Sequence, residues 1–149
     1  MGGQFDHERL TAYQKTLVFI AWAGPIIDNL PAKLAARDQL DRASTSIALN
    51  LAEGNGKRSY PDRCRFFDIA RGSALECAAC LDVLVARKVL PCEAIIPGKA
   101  VLLEVVSMIA GLIGRFSTSE GEQEPYNEQA GMPCDLEARP KPEPEKEKD

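Results

Sequence analysis

The chain has 149 residues, 45% of them apolar, which suits one domain of modest size with a tail. Its formal charge of −4 is unevenly spread: residues 1–116 hold 14 Lys and Arg against 12 Asp and Glu, while residues 117–149 hold 4 against 10. The one histidine, His7, lies near the N-terminus, so zinc and di-iron centres and Ser-His or Cys-His catalysis lack their usual ligand or base.

Five cysteines, Cys64, Cys77, Cys80, Cys92 and Cys134, follow no secretory signal, and an odd number of them points to reduced thiols in a cytoplasmic protein. The longest uncharged apolar stretch, residues 17–27, contains Gly24 and Pro25 and is shorter than the ~18 residues of a membrane span, so a soluble protein is expected.

Leu10, Tyr13, Leu17, Ile20, Ala21, Gly24 and Ile27 recur at helical spacing and predict a first helix over residues 8–29. Its middle, Val18-Phe19-Ile20-Ala21-Trp22-Ala23, is apolar almost all round. A second face therefore needs cover, and Val18, Phe19 and Trp22 are assigned to an interface between copies of the chain. Pro25 is expected to kink or loosen the last turns.

Leu40, Ala43, Ile47 and Leu51 predict a second helix over residues 35–53, with Gly54 and Gly56 as the φ > 0 residues that end it. Ser59 is suited to cap a third helix, with Pro61 and Asp62 in its first turn. That helix is about 27 residues long, carries the stripe Phe66, Ala70, Ser73, Cys77, Leu81 and Leu84, and ends near Arg87-Lys88. Pro91 or Pro97 opens the fourth, buried along Leu103, Val106, Ile109, Ala110, Ile113 and Phe116. With no strand-like alternation and short connections, the fold class is all-α, an antiparallel up-down-up-down four-helix bundle. Residues 1–116 form this domain. Residues 117–149, acidic and rich in Pro, Glu and Lys, are expected to be a disordered tail.

Ser46, Asn50 and Glu53 share one helical face, and Arg71, Ser73 and Glu76 of the next helix are placed to meet them. The preferred reading is a structural polar network that fixes helix register. No catalytic residues are assigned, although Glu53, Arg71 and Glu76 are the group an enzyme would use. Tyr13-Gln14-Lys15, Gln39-Leu40, Ser46-Ile47-x-x-Asn50-Leu51-Ala52-Glu53-Gly54 and Ala70-Arg71-Gly72-Ser73-x-x-Glu76 resemble the four-helix bundle family of 23S ribosomal RNA intervening-sequence proteins, over about residues 5–116. The resemblance implies a bundle that assembles as a homopentamer without established enzymatic activity. A related branch, the accessory variability determinants of diversity-generating retroelements, is similar in fold, binds nucleic acid and partners a reverse transcriptase.

Lys57, Arg58, Arg63 and Arg65, with Arg71 further along, concentrate cations against Asp62 and Asp68. Guanidinium groups suit phosphate contacts, so the first four are assigned to nucleic-acid binding, either RNA or DNA. Phe66 and Phe67 are assigned to the core, and repetition of the patch around a ring would multiply its charge. Cys77-Ala-Ala-Cys80 has CxxC spacing but lies within a helix, where packing is the expected role. No metal and no cofactor is implied. The function expected is a non-enzymatic oligomeric scaffold that binds nucleic acid, a nucleic-acid enzyme, or both. The rival is a protein-interaction scaffold without a nucleic-acid role.

Overall fold

The computed structural model describes residues 3–117, which form a short 3-10 turn (Asp6–Arg9) and four helices: α1 (Thr11–Asn29), α2 (Ala35–Asn55), α3 (Tyr60–Ala86) and α4 (Cys92–Phe116). Each helix packs on its chain neighbours and α4 closes back on α1, so that the four helices form a square ring. Asp6 meets Asn55 at one end, and at the other the α1–α2 connection lines a groove with Val89 and Leu90 of the α3–α4 connection. The order is therefore up-down-up-down, as the pattern predicts. The expected tail lies outside the described residues.

The core is one cluster running from Ala12 and Phe19 through Leu40, Ile47, Leu51, Phe67, Cys77, Leu81 and Leu84 to Ile95, Leu102 and Ile109. Phe19 is fully buried within its own chain. Its assignment to an interface between copies is thus corrected: the 3.6-residue repeat aligns it with Ala12, Thr16, Ala23 and Ile27 on the inward face. The same register turns Val18 outward and leaves it exposed, while Trp22 sits half-buried against α4.

The helix boundaries have local causes. Ser59 caps α3 by accepting a hydrogen bond from the Asp62 backbone N–H at 3.2 Å, with Pro61 in the first turn. Pro91 is the N-cap of α4, and Pro97 lies inside that helix rather than opening it. Leu10, φ −74°, separates the 3-10 turn from α1, so the expected first helix is in two pieces.

Gly54 and Gly56 differ from expectation. Gly56 closes α2 with φ −87°, in the right-handed region. Gly54 is buried inside α2, where a Cβ would stand 2.9 Å from the Phe66 Cβ and 3.0 Å from a Phe67 ring carbon. The requirement there is close approach of two helices, not left-handed backbone.

The left-handed residue is Lys88, φ 59°. Its N–H reaches the Val85 carbonyl and that of Val89 the Leu84 carbonyl, both at 2.9 Å, the paired bonds of a Schellman C-cap.

By length and mean hydropathy α4 is apolar enough to cross a membrane. In the bundle its Ile95, Leu102, Val105, Val106 and Ile109 are core, and two of its four charged side chains pair across to neighbours, Lys99 with Asp82 and Glu104 with Lys15, each at 2.7 Å. Cys64, Cys77 and Cys80 are free thiols. Cys92 is disulfide-bonded, so the expectation of uniformly reduced thiols fails there.

Candidate nucleic-acid interface

The antiparallel order brings the end of α2, the start of α3 and the end of α4 to one end of the bundle. Lys57 and Arg58 lie in the turn past the C-terminus of α2, where cations complement the helix dipole. Arg63 and Arg65 lie in the first two turns of α3. The turn is fixed by Arg63, whose Nε–H donates to the Lys57 carbonyl at 2.8 Å, so the two cationic segments are tied together.

Aromatic rings support the cations. Lys57 Nζ lies 4.9 Å and Arg65 Cζ 5.1 Å from the centroid of the Phe66 ring, and Arg63 Cζ lies 5.0 Å from that of Phe116. Each such contact stabilises by roughly 0.5–1 kcal/mol at an exposed site. Phe116 is itself braced by Tyr60 and Phe67, at centroid distances of 4.9 and 6.1 Å. Phe66 is therefore not the core residue the stripe predicts. Phe67 takes that position, fully buried, and Phe66 becomes part of the cationic surface. Periodicity could not separate the two, because α3 is apolar on more than one face: Ile69, Leu75 and Val83 are exposed although Ala70, Cys77 and Leu84 are buried.

Two carboxylates temper the patch. Glu53 approaches Lys57 at 3.7 Å and Asp62 approaches Arg65 at 3.9 Å, both long and exposed pairs of little net strength. Among the described residues Arg58 and Arg63 pair with no carboxylate. Arg58, which is exposed, is the cation most available to a phosphate.

The polar network is narrower than expected. Ser46 and Ser73 hydroxyls meet at 2.9 Å, and the Asn50 amide donates to the Ser46 carbonyl at 2.8 Å and to its hydroxyl at 3.0 Å. Glu53 is more than half exposed and belongs with Lys57 in the patch, and Glu76 is exposed. Among the described residues these hydrogen bonds join three neutral side chains, Ser46, Asn50 and Ser73, and link α2 to α3. No buried side-chain nitrogen or oxygen among the described residues lacks a partner.

The CxxC pair does what a helical interior predicts. Burial, then Cys80, then Glu76 push the Cys77 thiol up to about 12, and burial raises Cys80 as well. Neither is a poised thiolate. Among the described residues no group of His, Cys, Asp and Glu is arranged to hold a metal ion.

Fold and site together define a small all-α bundle with a cationic end. Residues 8–111 match the family model of the 23S rRNA-intervening sequence protein. The chain belongs to that family. No curated protein matches it in a sequence comparison.

Proposed function

We propose that the protein is a non-enzymatic scaffold whose cationic end, Lys57, Arg58, Arg63 and Arg65 on the rings of Phe66 and Phe116, binds the phosphate backbone of a nucleic acid. The observation that supports this most is the convergence of four cations from the α2–α3 turn and the start of α3, two of them without a carboxylate partner among the described residues. Such a surface contacts phosphates and offers few groups to read bases, so binding is sequence-tolerant.

The working unit of this reading is a homo-oligomer, a pentamer in keeping with the family resemblance. The exposed apolar side chains Leu17 and Val18 of α1, Leu75 of α3 and Ile96 and Leu103 of α4 favour a second copy as cover. A ring repeats the cationic end once per subunit and raises affinity by multivalency. The nucleic-acid enzyme that such a scaffold would serve is, in this reading, a retroelement reverse transcriptase.

The test is fluorescence anisotropy of labelled RNA, DNA and hybrid oligonucleotides of unrelated sequence, with light scattering for the assembly state. Comparable binding of unrelated sequences, lost in Lys57→Ala/Arg58→Ala/Arg65→Ala, is expected. Absence of binding at low salt would leave the protein-interaction scaffold, which the exposed apolar faces favour.

A further inference from the structure

Beside the cationic patch, where the start of α1 faces the end of α4, a cavity of about 500 Å³ opens to solvent. Its lining is apolar, with Leu10 on the α1 side and Met108 and Leu112 on the α4 side, and Arg9 and Arg115 contribute one guanidinium from each side. Gly111 leaves the α4 wall bare: a Cβ there would meet nothing within 4 Å.

Among the described residues no carboxylate lines this cavity, and neither arginine has an ion-pair partner. The acids nearest in the chain are engaged elsewhere. Asp6 accepts from the Asn55 amide at 2.9 Å, Glu8 accepts from the Phe5 backbone N–H at 2.8 Å, and Glu104 pairs with Lys15 at 2.7 Å. The cavity is thus apolar within and positive on two sides. It adjoins the patch, because Arg115 immediately precedes Phe116, whose ring carries Arg63.

We propose that this cavity takes an unpaired nucleotide of a single-stranded nucleic acid, its base against Leu10, Met108 and Leu112 and its two flanking phosphates on Arg9 and Arg115. This rests on the nucleic-acid reading of the cationic end and extends it from phosphate to base. The volume is in the range of small-molecule sites. A thioether and two branched side chains pack on the face of any base, so the fit is sequence-tolerant. Guanidinium groups on two walls suit the two phosphates that flank a nucleotide within a strand, whereas an acyl chain has one anionic end and needs only one. A paired base would first have to leave its stack, so single strands are favoured over duplexes.

Uridine 3′,5′-bisphosphate, a base with a phosphate on each side, tests the cavity apart from the patch. In protein with isotopically labelled methionine methyls, the Met108 signal being assigned by Met108→Leu, titration should shift that signal saturably. Gly111→Leu, whose Cβ enters open space and whose side chain occupies the cavity, should abolish the shift, as should Arg9→Ala/Arg115→Ala. No shift in the wild type, or an equal shift with octanoate at the same concentration, would overturn the proposal.

The strand is tested with a labelled oligothymidylate and an abasic strand of equal length, which keeps every phosphate and lacks every base. The wild type should bind the abasic strand about tenfold more weakly, and Gly111→Leu should bind the two within about twofold. Equal affinity of the wild type for both strands would overturn the base site and leave the phosphate-driven reading intact. A Met108 shift with uridine bisphosphate but no binding of either strand at low salt would instead overturn the nucleic-acid reading, and the strand as occupant with it.

Discussion

The six-membered ring of Trp22 rests directly on the backbone of Gly98, so that a Cβ at position 98 would overlap ring atoms Cζ3 and Cη2 and stand 2.6 Å from Cε3. α1 and α4 can close the bundle at this point because α4 has no side chain there.

Gly98→Ala should therefore destabilise by about 1–3 kcal/mol through overpacking. In a Trp22→Ala background the same substitution should be neutral, or stabilise by up to about 1 kcal/mol from helix propensity. A double-mutant cycle by chemical denaturation measures the difference, and additive effects would contradict the contact.

Lys88 holds φ 59° at the position after the α3 C-cap, where a side chain is unfavourable and glycine is not. Lys88→Gly should raise stability by about 0.5–1 kcal/mol, measured as a shift in denaturation midpoint at constant slope. A loss of stability would mean that the lysine side chain makes a compensating contact.

The polar residues between α2 and α3 divide into two groups. Asn50→Ala removes two hydrogen bonds to Ser46 and should cost about 1–2 kcal/mol. Glu53→Ala removes only an exposed, 3.7 Å pair and should change stability by less than about 0.5 kcal/mol. Equal costs in thermal unfolding would restore Glu53 to a shared network.

Cys77 predicts a stability loss in alkali. Its thiol keeps its proton to about 12 when folded, whereas the unfolded thiol ionises near 9.0. Between those values the native state binds the extra proton, so its contribution is complete below the lower value and falls as pH rises, by at most ~1.4 kcal/mol per pH unit. Cys77→Ala should remove this slope when stability is compared at pH 8 and pH 10.5. An identical slope in both proteins would show that other groups cause it.

Helix number, order and most boundaries were legible because the 3.6-residue repeat and the Ser59 and Pro91 caps act locally. Both Phe66 and Phe67 read as core, and only Phe67 is fully buried, since neighbouring aromatics on a helix with more than one apolar face are sorted only by what packs on them. Gly54 looked like a helix end because glycine signals permissive backbone and close packing alike. The four cations were legible as a run, but their tie through the Lys57 carbonyl and their seating on Phe66 and Phe116 come from tertiary approach. Phe19 was read as surplus because the sequence shows apolar residues all round α1 without showing which face the core takes.

The central claim is that the cationic end binds nucleic acid through phosphates, and the salt dependence of that binding tests it most directly. A plot of log affinity against log salt for a single-stranded oligonucleotide should fall linearly, with a slope of ~0.7 per phosphate neutralised. Lys57→Ala/Arg58→Ala/Arg65→Ala should flatten it by about two units, alike on unrelated sequences. A slope that is the same in both proteins, or affinity that does not change with salt, would contradict the account.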